Sequence, residues 1–176
     1  DQTETKRRNA EYEGKVTAIS KAMALIEFDL DGNILDINDN ALALYGYDKE
    51  EVVGRHHGMF CDPELVASDA YRQGWVDLRA GHFRAGEYHR FGKGGRDVWI
   101  QASYNPILDT DGKPFKVVKY ATDITEQQRR NADAEGQLAA ISKVQAIIEF
   151  ELDGTILHAN ALFLRATGYA CLLYTS

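Results

Sequence analysis

The sequence predicts an α+β fold in which a five-stranded antiparallel sheet carries its helices on one face. Three observations lead there. Two β-rich runs, 24–30 and 34–37, flank Asp31-Gly32, a dipeptide that signals a tight hairpin. The stretch 63–80 repeats its apolar residues at helical spacing. Three further runs, about 83–91, 97–108 and 115–122, are separated by the turn sequences Gly92-Lys93-Gly94-Gly95 and Asp109-Thr110-Asp111-Gly112. Strand, strand, helices and three more strands leave space for a pocket between helices and sheet.

The individual elements follow from local chemistry. Asn38-Asp39-Asn40 supplies capping side chains ahead of Ala41, Leu42, Ala43 and Leu44, and Gly46 ends that short helix. Tyr47 and Val53 are expected to turn inward. Leu65, Val66, Ala70, Tyr71, Trp75 and Leu78 mark the apolar face of one long helix over 63–80, stopped by Gly81. Thr125 and Gln128 stand at capping-box spacing and open a last helix that runs to about Val144, with Gly136 as its one weak former. Such a helix is about 30 Å long at 1.5 Å per residue. Its apolar residues Ile124, Ala134, Leu138, Ile141 and Val144 grow denser toward the end, a pattern that permits a two-helix contact.

Composition narrows the function classes. With 44% hydrophobic and 27% charged residues, the chain has the make-up of a globular domain with a real core. A net charge of -7 and a pI near 5.2 argue against nucleic-acid or anionic-membrane partners, which need clustered Lys and Arg. No apolar run approaches the roughly 20 residues that span a bilayer, and no signal-peptide pattern opens the chain, so a cytoplasmic location is expected. Cys61 and Cys171 form neither a disulfide framework nor a metal-ligand spacing, which suits a reducing compartment.

An internal repeat organises the chain. Residues 1–47 align without a gap on 123–169, at an offset of 122, with 26 identities in 47 positions. The expected organisation is therefore a linker helix at 1–15 after a preceding copy, a complete domain at 16–125, a linker helix at 126–144 and the truncated start of the next copy at 145–169. The first residue is not Met, in keeping with an origin inside a longer protein. The final segment, 170–176, departs from the repeat and reads as adaptor-derived artefact. One inserted linker residue would rotate the next copy by about 100°, so the gapless linker implies a fixed rotational phase.

The element order, Gly46-Tyr47, the segment 50–54, the strand from Trp99 to Pro106 and the closing Asp123-Ile124-Thr125 together resemble a PAS domain over residues 16–125. The longer stretches 54–81 and 116–125 resemble the tandem PAS domains of soluble methyl-accepting chemotaxis receptors of the aerotaxis and biofilm-dispersion types. The resemblance implies a sensory, signal-relay module of a cytoplasmic receptor. It also implies a homodimer formed through PAS and linker helices, with a downstream methyl-accepting domain that engages a chemotaxis kinase and its adaptor.

For the pocket, the aerotaxis resemblance implies FAD, a redox or oxygen sensor's cofactor, with Trp75, His57 and Asn40 as candidate contacts. The light-oxygen-voltage branch carries a cysteine where this chain has His57, so that branch's photochemistry is excluded. Haem is the competing cofactor, with His56, His57, His82 and His89 as available imidazoles and His56 and His82 retained as axial-ligand alternatives. His56, His57 and Asp62 lack a third ligand at recognisable metal spacing, so no metal site is assigned. Cys61 reads as a small buried apolar residue. Trp99 alternates against Val98, Ile100 and Ala102 and so faces away from them; with Ile19 of the N-terminal helix it is an interface candidate. The alternative to a cofactor sensor is a cofactor-free module for dimerisation and conformational relay. Catalysis has no support: 92–95 lacks Walker spacing and joins strands, and Ser20 and Ser103 have no triad partners in sight. The chain is expected not to be an enzyme.

Overall fold

The computed structural model describes residues 2–168. In chain order these form α1 (Gln2–Ala22), β1 (Ala24–Phe28), β2 (Ile34–Ile37), α2 (Asp39–Tyr45), α3 (Lys49–Val52), a 3-10 turn (His57–Phe60), α4 (Pro63–Ala67), α5 (Asp69–Arg79), β3 (Arg84–Phe91), β4 (Asp97–Leu108) and β5 (Pro114–Asp123). They continue with α6 (Thr125–Val144), β6 (Ile148–Phe150), β7 (Ile156–Ala159) and α7 (Ala161–Thr167). Two compact units divide between Glu126 and Gln127.

In the first unit the sheet runs β2-β1-β5-β4-β3, antiparallel throughout. The first and last strands in sequence thus lie side by side, with Ala24 opposite Ala121 and Phe28 opposite Val117. Strand alternation sends Ile26, Phe28, Val98, Ile100, Ala102, Val117 and Ala121 to one face, where they form the core with Tyr45, Phe60, Trp75 and Leu78. The α+β expectation and the five antiparallel strands hold. β1 stops at Phe28 because the Asp29 carboxylate accepts from the amides of Asp31 and Asn33, which bends the chain into its hairpin turn.

The structure corrects two local expectations. The helix expected over 63–80 is two helices, broken at Ser68, whose backbone is extended (φ -74°, ψ 152°) and whose hydroxyl accepts from the Tyr71 amide at 3.2 Å. An N-cap serine there starts a second helix without disturbing the apolar period. Val53 is 40% exposed and its neighbour Val52 takes the buried place. At the start of α6 the Thr125 hydroxyl accepts from the Trp99 amide at 3.0 Å and the Asp123 carboxylate accepts from the Thr125 amide at 2.9 Å.

Asn38, with Asn40 beside it, ties the end of α1 to β1 and α2. Asn38 is the N-cap of α2; its oxygen accepts from the amides of Ala41 (3.0 Å) and Leu25 (2.9 Å), and its nitrogen donates to the carbonyls of Ser20 (2.8 Å) and Met23 (2.9 Å). The end of α1, the start of β1 and the start of α2 therefore meet at one carboxamide. In the second unit Asn160 repeats the arrangement, accepting from Phe163 and Ile147 and donating to Ser142 and Gln145. There β6 and β7 pair only with each other, and Phe150 (55% exposed) and Ile156 (41%) are open where their counterparts Phe28 and Ile34 are fully buried. The segment 170–176 lies outside the described residues.

Replacing Asn38 by Ala removes a cap, takes the side-chain acceptor from the Leu25 amide and leaves the Ser20 and Met23 carbonyls to the longer bonds from Asn40. Urea denaturation should show a loss of about 2–4 kcal/mol. Asn38→Asp keeps both acceptor bonds but sets a carboxylate against those carbonyls, so it should rescue only part of the loss. Full recovery by Asp would mean that the cap alone matters.

Candidate functional site

Between α5 and the sheet lies a cavity of about 140 Å3. Tyr71, Gly74, Trp75 and Leu78, at helical spacing, form its wall on α5; Tyr88 and Arg90 of β3 and Tyr104 of β4 form its floor; Leu65, Ala70, His57 and Arg84 complete it. The hairpin turn comes close as well. Gly32 has φ +90° and a Cβ there would meet His56 and the Trp75 ring within about 3 Å, so the turn packs directly on the wall.

His57 opens the 3-10 turn and is buried. Its Nδ1 lies 2.8 Å from the Tyr71 hydroxyl and its Nε2 3.0 Å from that of Tyr104. Arg90 Nη2 donates to the Tyr104 hydroxyl at 3.3 Å. Arginine has only donors, so the assignment that also gives the proton of buried Tyr104 a partner has Tyr104 accept from Arg90 and donate to His57 Nε2, while His57 Nδ1–H donates to Tyr71. That demands a neutral imidazole. Burial, and then the nearby Lys119 and Arg90 charges, hold His57 well below its ordinary pKa. Burial pushes the Tyr104 phenol up to about 12.

Behind this chain the interior is cationic. Lys119, fully buried on β5, donates to the Tyr45 hydroxyl at 2.9 Å and lies over the rings of Tyr45 and Tyr104. Burial, aided by the Arg90 charge, lowers its pKa from 10.5 to about 7. Arg90, 5% exposed, stacks on the Tyr88 ring and donates through Nη1 to the His89 carbonyl at 2.7 Å. Its Nε is buried without a hydrogen-bond partner. No Asp or Glu lines the cavity.

The candidate residues fall in different places. Trp75 and His57 both line the cavity. Asn40 does not: its amide donates to the carbonyls of Ser20, Lys21 and Met23, beside Asn38, which places it at the α1–α2 junction. The fit to haem is poor. Both His57 nitrogens are engaged; His56 holds the Asp31 carbonyl with Nε2 and the Gly58 amide with Nδ1; and His82 is exposed and outside the cavity lining. His89 lies on the opposite face of the sheet, 2.8 Å from the Asp97 carboxylate and stacked on Trp99 at 4.7 Å. Among the described residues, no group of three His, Cys, Asp or Glu could hold a metal ion. Cys61 is buried, which raises its thiol pKa. Trp99 is half-buried on the face away from the cavity and Ile19 is exposed on α1. Sequence reasoning missed Arg90, Tyr104, Tyr88 and Lys119. Strand parity carried a signal for two of them: Tyr104 continues the Val98, Ile100, Ala102 series, and Lys119 interrupts Val117 and Ala121.

Lys119 makes stability depend on pH. The unfolded chain keeps this proton up to about pH 10.5 whereas the folded chain releases it near 7. Between these values the unfolded state binds more protons, so stability rises with pH by up to about 1.4 kcal/mol per unit, and below about 7 the slope from this group vanishes. Urea midpoints from pH 7 to 9.5, compared with Lys119→Met, should show this slope in the natural chain and its loss in the variant. Parallel curves would place Lys119 outside the titration.

A PAS-fold sequence profile matches residues 20–129. The chain belongs to the PAS-fold family. It is 42% identical over 154 residues to the biofilm dispersion protein BdlA of Pseudomonas aeruginosa, a match that covers 88% of this chain and 37% of that protein. The chain thus spans well under half the length of this relative. Among solved structures, a PAS domain from Colwellia psychrerythraea superposes with a TM-score of 0.58 at 24% identity, covering 65% of this chain and 98% of that one. A light-oxygen-voltage domain superposes at 0.55 with 20% identity, covering 72% of this chain and 96% of that one. Among the described residues no helix is long and apolar enough to cross a membrane.

Proposed function

We propose that this chain is a sensory module of a cytoplasmic chemotaxis-type receptor, without catalytic activity of its own, whose signal is the occupancy of the cavity beneath α5. The observation that carries this reading is a cavity lined by a hydrogen-bonded chain, Arg90–Tyr104–His57–Tyr71, that ends on a buried donor with no protein partner. Structural interiors satisfy such groups internally, whereas binding sites keep them for a ligand. Occupancy reaches the rest of the unit through β4, whose Trp99 amide is bonded to Thr125 at the start of α6. In the full receptor the proposed recipients are a methyl-accepting domain, a chemotaxis kinase and its adaptor.

FAD is the cofactor suggested by the chemotaxis-receptor resemblance, and Trp75 offers it a flat face. The cavity of about 140 Å3 is below the 300–1,000 Å3 typical of drug-sized ligands, so flavin occupancy requires α4 and α5 to move outward. The absorbance of the purified 176-residue chain tests this: bands near ~450 nm report flavin and one near ~400 nm reports haem. In a Trp99→Phe background Trp75 is the sole tryptophan, and an occupant should change its emission and raise the melting temperature by several degrees. A colourless chain that responds to no compound in a broad small-molecule panel would sink the sensing reading.

A second reading, dimerisation and relay, draws on α1. Tyr12, Val16 and Ile19 are 58%, 53% and 42% exposed at spacings of four and three, one stripe along a helix. Sedimentation should show concentration-dependent association, weakened about tenfold or more by Ile19→Asp, since burying a lone charge at a seam costs well over 1.4 kcal/mol. Identical association of Ile19→Asp and Trp99→Ala with the natural chain would remove α1 and the outer sheet face from the interface.

A further inference from the structure

We propose that the cavity takes a small organic carboxylate, no larger than about one six-membered ring, whose charge is received by Arg90. This deepens the sensing reading above and rests on it. The volume sets the size: about 140 Å3 compares with the ~150 Å3 apolar cavity that accommodates benzene. The charge comes from the walls. Two arginines line the space, Arg90 within it and Arg84 exposed at its mouth, and among the described residues neither has an ion-pair partner. Of its five N–H donors Arg90 uses one from Nη1 on the His89 carbonyl and one from Nη2 on the Tyr104 hydroxyl, and Nε is buried with no protein acceptor. A carboxylate oxygen is the acceptor that such a donor selects, and a charged pair is worth more there than in water. Gly74 serves the same end. Any Cβ at that position would run into the Arg84 guanidinium, so the missing side chain is what lets Arg84 lie against α5 at the cavity edge.

The rest of the lining fixes the body of the ligand. Trp75, Tyr71 and Leu78 give it an apolar wall, and the Tyr71 hydroxyl, which accepts from His57, keeps its own proton for a second ligand oxygen. A cationic ligand is disfavoured by Arg84 and Arg90, and a neutral carbonyl or hydroxyl oxygen accepts from a guanidinium more weakly than a carboxylate does.

The test uses the 176-residue chain with Trp99→Phe and follows Trp75 emission and melting temperature against benzoate, succinate, pyruvate, benzamide, benzyl alcohol, benzylamine and inorganic phosphate. At least one carboxylate should bind, at least tenfold more tightly than its matched amide, alcohol or amine, with benzoate against succinate and pyruvate separating ring-bearing from aliphatic ligands. Arg90→Gln should abolish that preference. Arg84→Gln, an exposed position that leaves folding intact, should weaken the carboxylate several-fold while leaving benzyl alcohol unchanged. Equal affinity for benzoate and benzamide, or a preference for the alcohol or amine, overturns the carboxylate assignment while cavity sensing stands. Silence toward every compound together with a colourless protein overturns both.

Discussion

The pairing of β1 with β5 is the constraint on which the first unit depends. It joins the hairpin that opens the domain to the three-strand meander that closes it, with the helices strung between. Ile26 and Phe28 come to lie beside Val117 and Lys119, and the core that supports α5 exists only because of this juxtaposition. The second unit supplies a comparison within the same molecule. Its β6–β7 hairpin has nearly the sequence of β1–β2 and the same antiparallel pairing, yet Phe150 and Ile156 face solvent where Phe28 and Ile34 are sealed. Local sequence makes the hairpin; the long-range strand makes the core. An isolated two-stranded hairpin buries too little apolar area to do so.

The interior that this pairing creates is unusual in its charge. Lys119, Arg90 and His57 share one buried region with no carboxylate among the cavity-lining residues. The fold tolerates them by three routes: Lys119 gives up its proton readily, His57 stays neutral between two phenols, and Arg90 lies against the Tyr88 ring. These devices reduce the cost of burial but leave a positive field in the cavity. A site tuned for a metal would need free imidazole nitrogens, and here the buried histidine spends both on tyrosines.

Much of the fold was legible because it is written in short-range chemistry. Asp31-Gly32 marks the hairpin, Asn38 and Gly46 bound α2, and alternation over 97–108 matches β4 at both ends. The break between α4 and α5 was hidden because a capping serine leaves the helical period of the apolar residues undisturbed. At the site, Trp75 and His57 stood out as residue types and do line the cavity. Arg90 did not, since what distinguishes it is a missing partner, and that is decided by strands and helices distant in sequence. Asn40 was misplaced for a related reason. Its amide answers to the α1 terminus, and where α1 stops cannot be read from the residues around Asn40.

The Asn38 junction bears on how an array of such modules can grow or shrink. Its participants Ser20 and Asn38 recur as Ser142 and Asn160, 122 residues on, and every other bond runs to backbone. A genetic exchange between the two copies, with its breakpoint anywhere from residue 20 to 38, joins the serine of one to the asparagine of the other and rebuilds the same knot. Unequal crossing-over in this stretch therefore changes the number of modules without creating a foreign joint. The carboxamide that ties a helix to its sheet also makes the copies interchangeable in recombination.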